Sequence, residues 1–275
     1  MVRITINAPR LSPKNNNTIR HLREQTKQES KIQREFPVRW TLDKSTFSTI
    51  TYKGYSTGHK PSNVSGLSRL YYDRSKPFEK QIPFYNFYKI ETVIEKPKAY
   101  IIPQGWWKVI ELLKLNKVNM IQFKKDTVIQ IEGYRIVDYK SLLQPFEAHH
   151  LNYAVKADTF TRDISFRKGD YYILLNQSAN RFLIETLEPV AQDSYFAWNF
   201  FDAILGQKEG FSGYSFEDIA AEYLKTDPDL KNKLEQKRTT DTVFAKNGRA
   251  QLNFVYENSS WVEPDYLRYP VYRAR

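Results

Sequence analysis

The sequence predicts an α+β fold: an antiparallel β-rich region followed by a C-terminal helical region packed against it. Aromatic, threonine-rich and alternating segments dominate between Phe36 and Leu187, as half-buried strands require. Apolar residues at helical spacing dominate after Asp193. Strand and helix patterns do not alternate and no internal repeat occurs, which argues against βαβ units. The chain is read as a flexible or helical lead-in over 1–35, a β-rich domain with one internal helix over 36–190, and a helical region over 191–275.

Element by element, residues 1–17 end in Pro13-Lys14-Asn15-Asn16-Asn17 and read as flexible. Thr18 to Glu35 is polar nearly all round, a surface helix or linker unable to fold alone. Phe36 to Ser56 reads as strand, and Leu70 to Pro103 as short strands and extended segments broken by prolines. Pro103 opens a helix whose stripe is Trp106, Val109, Ile110 and Leu113, ending near Asn116. Val118 to Asp138 returns to strand. Asn152 to Gln177 predicts a hairpin turning at Arg167-Lys168-Gly169-Asp170, and Phe182 to Leu187 a short strand. Ala197, Phe200, Phe201, Ile204 and Leu205 predict a helix capped by Asp193 or Ser194. Phe216, Ile219, Ala220, Tyr223 and Leu224 predict a second, capped by Ser215, and Asp227-Pro228 starts a third. Trp261 to Arg275 reads as an extended tail.

Composition narrows the function classes. A hydrophobic fraction of 41% supports a real core in 275 residues. No apolar run reaches about eighteen residues, so no membrane span is expected, and the start lacks the apolar region of a signal peptide. With Cys 0, disulfides, thiolate metal sites and cysteine nucleophiles are excluded. The net charge of +11 is uneven: residues 1–150 carry 26 Lys/Arg against 13 Asp/Glu (+13), and 151–275 carry 16 against 18 (−2). Lys76, Lys80, Lys89, Lys96 and Lys98 are scattered among aromatics and acids, so no nucleic-acid partner is assigned.

The chemistry-bearing patterns are few. His21 and Glu24 share a helix face, and His149 or His150 offers a third ligand for a zinc ion. Against this, the segment is polar, only 20 residues precede it, and nothing marks a supporting shell. Asp193, Asp202, Glu209, Glu217 and Asp218 form an acidic neighbourhood that caps and helix dipoles account for. Trp40, Trp106, Trp107 and the tyrosines at 52, 55, 71, 72, 85 and 88 fit either core and interface packing or stacking on sugars. Asn16, Asn63, Asn176 and Asn258 head Asn-x-Ser/Thr triplets that matter only in an exported chain. No catalytic, cofactor-binding or metal-binding residue is assigned, and no cofactor is expected.

Several fragments in fixed order carry a family resemblance: Pro97 to Gln104 with the following helix, Arg167 to Tyr172 leading to Asn176-Gln177, Leu187-Glu188-Pro189, Asp193 to Asp202, Lys208-Glu209, Tyr214 to Asp218, and Arg268-Tyr269-Pro270-Val271. Over roughly residues 20 to 275 the chain resembles the C-terminal region of large bacterial zinc carboxypeptidases of the carboxypeptidase A-like family. In such proteins a preceding peptidase domain carries the zinc ligands, the substrate-carboxylate arginine and the general-base glutamate, and many of the proteins are exported. His21 and Glu24 do not sit where those ligands fall. The resemblance implies a non-catalytic accessory region, from a truncated or split copy or a free-standing module, whose partner is a peptidase domain or other protein. A glycan or cell-wall binding module using exposed Trp and Tyr is the alternative, and an active zinc enzyme using His21, Glu24 and His150 the third reading.

Overall fold

A computed structural model describes residues 16–207 and 210–275. The fold is α+β. The chain forms two compact units, Glu35–Ile94 and a second built from the described residues before it together with Glu95–Arg275.

In the larger unit, helix α1 (Asn16–Ile32) is almost wholly exposed. Its C-terminal end is held by polar contacts: the Lys96 ammonium donates to the Lys31 carbonyl at 2.5 Å, and the Asn180 amide donates to the Ser30 carbonyl at 3.0 Å. This is how a helix with no apolar stripe stays attached. The centre of the unit is a six-stranded sheet of β5 (Ala99–Ile102), β6 (Ile121–Gln122), β7 (Thr127–Ser141), β8 (Asn152–Phe166), β9 (Tyr171–Leu174) and β10 (Tyr272–Ala274), in the order β6-β9-β5-β10-β7-β8. All its pairings are antiparallel. One face carries a core of Ile101, Ile131, Phe166 and Tyr272 with Ile129 and Phe160 against it. Helices α2 (Trp107–Leu115) and α3 (Asn180–Leu187) each bury one side, Val109, Ile110 and Leu113 in the first and Leu183, Ile184 and Leu187 in the second. Helices α4 (Gly213–Thr226), α5 (Pro228–Thr240), α6 (Thr242–Ala245) and α7 (Gly248–Glu257) enclose a separate core of Phe216, Ala220, Leu230, Leu234, Phe244, Val255 and Tyr256.

The Glu35–Ile94 unit contains β1 (Glu35–Leu42), which pairs with β4 (Tyr88–Glu95), and a long antiparallel ribbon of β2 (Ser48–Pro61) and β3 (Ser68–Phe84). The register shifts between Tyr55 and Ser56, where three extra residues of β3, Arg74 to Lys76, are accommodated. Pro77 and Pro83 are tolerated because each strand of a two-stranded ribbon has a free edge.

Three sequence expectations are corrected. The stretch 193–205 is not a helix: it runs through turns to a single 3₁₀ turn at Asp202–Ile204. Asn199 adopts φ +65°, which ends any right-handed helix there. The Ala197 carbonyl instead accepts from Asn152 N at 2.9 Å and the Phe196 carbonyl from the Asn152 side chain at 3.1 Å. Its apolar residues are core residues all the same, with Phe196 and Phe201 fully buried. Phe182 to Leu187 is helix, because Leu183, Ile184 and Leu187 bury one helical side. The turn at Arg167–Asp170 exists, with Gly169 at φ +98°. It joins no hairpin: β8 pairs with β7, and β9 with β5 and β6. The extended tail contributes β10, which inserts between β5 and β7. The second predicted helix is present as α4, entered from Ser212 and not from Ser215, and Asp227 caps α5 by accepting from Leu230 N at 2.9 Å.

Gly133 on β7 lies under the ring of its ladder partner Phe160, and a Cβ there would come within 2.5 Å of the ring. Gly133→Ala is expected to cost about 1–3 kcal/mol, read as a lower Tm. Adding Phe160→Ala should then cost less than it does in the wild type; strictly additive losses contradict the steric cause.

Candidate functional site

The zinc candidates are placed without forming a metal site. His21 is exposed on α1, and the Glu24 carboxylate accepts from the Lys27 ammonium at 2.5 Å. The His149 ring packs against Trp198 and Phe200 at 5.5 and 6.1 Å between centroids, and His150 Nδ1 lies 2.9 Å from the Leu142 carbonyl. No group of three or more His, Cys, Asp or Glu residues suited to a metal ion occurs among the described residues. In the acidic neighbourhood, Asp193 accepts from the Trp198 indole at 3.0 Å. Asp202 accepts from the side-chain amides of Asn152 and Asn199, both at 2.9 Å. Glu217 and Asp218 are exposed on α4, and Glu209 lies outside the described residues. Asp193 and Asp202 thereby hold turns together.

Sequence reasoning missed the densest polar cluster, because its members are far apart in the chain. Arg273 on β10 lies directly opposite Tyr100 on β5 and Glu132 on β7. Direct opposition puts the three side chains on one sheet face. The Arg273 guanidinium donates to Glu132 at 2.5 Å, to the Tyr134 hydroxyl at 2.9 Å and to the Glu95 carbonyl, and its Nε stands 3.4 Å from Glu188. Tyr100 donates its hydroxyl proton to the same Glu188 oxygen at 2.5 Å. Arg275 closes on the other oxygen of Glu132. Tyr100 and Glu188 are fully buried, and the second oxygen of Glu188 has no hydrogen-bond partner.

Burial raises the proton affinity of Glu188, against the pull of Arg273 and the Tyr100 hydrogen bond. Burial also opposes the charge on Arg273, but Glu188, Tyr134, Tyr100 and Glu132 together hold it protonated. Burial likewise drives the Tyr100 phenol well above its usual range. The arrangement is a charge clasp that ties its strands to the end of α3, with Tyr100 and Glu188 at its centre closed to solvent.

A second kind of surface lies in the Glu35–Ile94 unit. At the base of the ribbon, Ile50, Tyr52 and Gly54 on β2 stand opposite Ile82, Lys80 and Phe78 on β3, and Ser48 opposite Phe84. This face is apolar apart from Ser48 and Lys80. The other face pairs Thr51 with Gln81 by a 2.9 Å hydrogen bond and Lys53 with Glu79 by a 2.6 Å ion pair. Alternation of this kind normally buries the apolar face. Here Ile50, Tyr52, Phe78 and Phe84 remain 38–50% exposed. The tyrosines at 55, 72, 85 and 88 are exposed as well, so they do not form a core. Among the described residues, the buried apolar residues of this unit are Phe36, Val38 and Ile94.

Of the tryptophans, Trp40, Trp107 and Trp261 are exposed, whereas Trp106 is half-buried with its ring edge-on to Phe201 at 5.0 Å. No family model, curated protein or solved structure matches the chain.

Two variants test the clasp. Arg273→Met leaves Glu132 and Glu188 without their main counter-charge and is expected to cost about 3–5 kcal/mol. Because burial makes the folded state bind the Glu188 proton more tightly than a glutamate in water, ionisation of Glu188 opposes folding as pH rises above the ordinary carboxylate range. Glu188→Gln should therefore gain stability relative to wild type as pH rises, and lose that advantage on acidification. A Tm difference that stays constant between about pH 4 and about pH 8 contradicts this.

Proposed function

We propose that the chain is a non-catalytic accessory region of a zinc-carboxypeptidase-like protein that acts by packing on a peptidase domain or another protein. The observation that carries this reading is the amphipathic ribbon with its apolar face uncovered. A two-stranded ribbon is marginal in water unless something packs on it, and a contiguous exposed apolar face marks a contact surface. The fixed order of carboxypeptidase-like fragments from Pro97 to Val271 supports the choice of partner class.

Charge favours a protein over a nucleic acid. The unit carries nine Lys/Arg against five Asp/Glu, a net of +4. Much of that charge is already engaged: Lys53 with Glu79, Lys76 with Asp73 at 3.4 Å, Arg39 with Glu91 at 3.8 Å, and Lys60 5.0 Å from the centre of the Tyr71 ring. A phosphate backbone is tracked by rows of free cations, whereas Ile50, Ile82 and Phe84 offer aliphatic and aromatic packing. The partner surface is accordingly apolar at its centre with carboxylates at its rim.

The paired substitutions Ile50→Ser and Phe84→Ser act on side chains already half in water, so stability should move by less than about 1 kcal/mol. Binding to a purified peptidase domain of the resembled family, followed by calorimetry, should be weakened at least about tenfold. Undiminished binding removes the ribbon from the interface. Stoichiometric zinc on the purified chain together with release of a C-terminal residue from a peptide would overturn the non-catalytic assignment.

A further inference from the structure

In the larger unit, a cleft of about 320 Å³ opens between the segment 263–270, the turn at 203–206 and Trp106. The residues lining it include the half-buried Trp106 and Tyr266 and the buried Tyr272, with Arg268, Asp265 and Glu263 as its charged groups. The frame around it is tied by hydrogen bonds. Leu267 holds φ +60°, a left-handed conformation that costs a leucine about 1–2 kcal/mol. That conformation is pinned because Leu267 N donates to the Ile204 carbonyl at 2.9 Å and its own carbonyl accepts from Ile136 N at 2.8 Å. On either side, Arg135 donates to the Tyr266 carbonyl at 2.7 Å and Tyr269 N to the Tyr134 carbonyl at 2.8 Å. Trp106 is fixed edge-on against Phe201, and Tyr272 edge-on against Phe166 at 5.4 Å. Strained backbone held by its surroundings is a common feature of ligand sites, and the cleft falls at the lower end of small-ligand site volumes, roughly 300–1,000 Å³.

We propose that this cleft binds a neutral saccharide of about one or two rings. The half-buried indole of Trp106 and phenol of Tyr266 offer apolar surface for the C–H face of a pyranose. Arg268 and Asp265 form an ion pair with each other, so the cleft presents a fixed donor beside a fixed acceptor. Hydroxyl groups both donate and accept, and they engage such a pair without separating it. An anion at this place meets Asp265 and Glu263, and a cation meets Arg268. The cleft belongs to the larger unit, so this activity is independent of the ribbon face on which packing to a partner is proposed.

The full chain is titrated with maltose, cellobiose and N,N′-diacetylchitobiose, with phenylacetate and tyramine as anionic and cationic aromatic probes of similar size, followed by saturation-transfer NMR and tryptophan fluorescence. At least one disaccharide should bind saturably with a Kd of millimolar order or tighter. Asp265→Asn should weaken it by about tenfold or more, the worth of one hydrogen bond to a charged group. Trp106→Phe, which keeps a ring against Phe201, supplies the second variant should Asp265→Asn lower Tm, and should also weaken binding severalfold. Failure of all three sugars to saturate, tighter binding of phenylacetate or tyramine than of every sugar, or sugar binding unchanged in a folded variant overturns the proposal. None of these results bears on the ribbon substitutions.

Discussion

The larger unit depends on the placement of Arg273. Three residues near the end of the chain, Tyr272 to Ala274, occupy the middle of a six-stranded sheet between β5 and β7. A strand that short contributes few ladder bonds, and what fastens it is the guanidinium at its centre. Arg273 reaches Glu132 and Tyr134 on one neighbour and the Glu95 carbonyl on the approach to the other, and stands beside Glu188 at the end of α3. Every one of these partners is distant in sequence. Burying this much charge costs free energy that packed hydrophobes would not, and the clasp favours the one register in which Arg273 meets Glu132 and Glu188.

The two units distribute their apolar residues in opposite ways. The larger one encloses its side chains in a sheet core and a helical core. The Glu35–Ile94 unit turns Ile50, Tyr52, Phe78 and Phe84 toward water although its strands alternate as if one face were meant to be covered. Its polar face is finished internally, with Thr51 bonded to Gln81 and Lys53 to Glu79. A surface completed on one side and left open on the other is the physical basis for the proposed partner-packing role.

What could be read from sequence follows from how local each determinant is. Val109, Ile110 and Leu113, or Phe216 and Ala220, repeat within one helix, and Asp227-Pro228 sets a cap within three residues. Those elements were legible. The stretch 193–205 has the same apolar spacing, but Asn199 in a left-handed conformation and backbone bonds to Asn152 commit it to turns. The turn at Arg167–Asp170 was visible, yet strand pairing is a long-range choice, and β9 finds β5 and not β8. The clasp was invisible for the same reason: nothing near Arg273 in sequence announces Glu132, 141 residues away. The saccharide cleft shares that origin, since Trp106 and Arg268 meet only in the folded chain.

Native-state hydrogen exchange on the full chain measures most directly whether stability is concentrated in the clasped sheet and withheld from the open ribbon. Amides of β5, β7 and β10 should exchange most slowly, through global unfolding, while those of β2 and β3 exchange through local opening of much lower free energy. Equal protection of the ribbon and the sheet would contradict the account, because it would mean that the ribbon needs no partner to be stable.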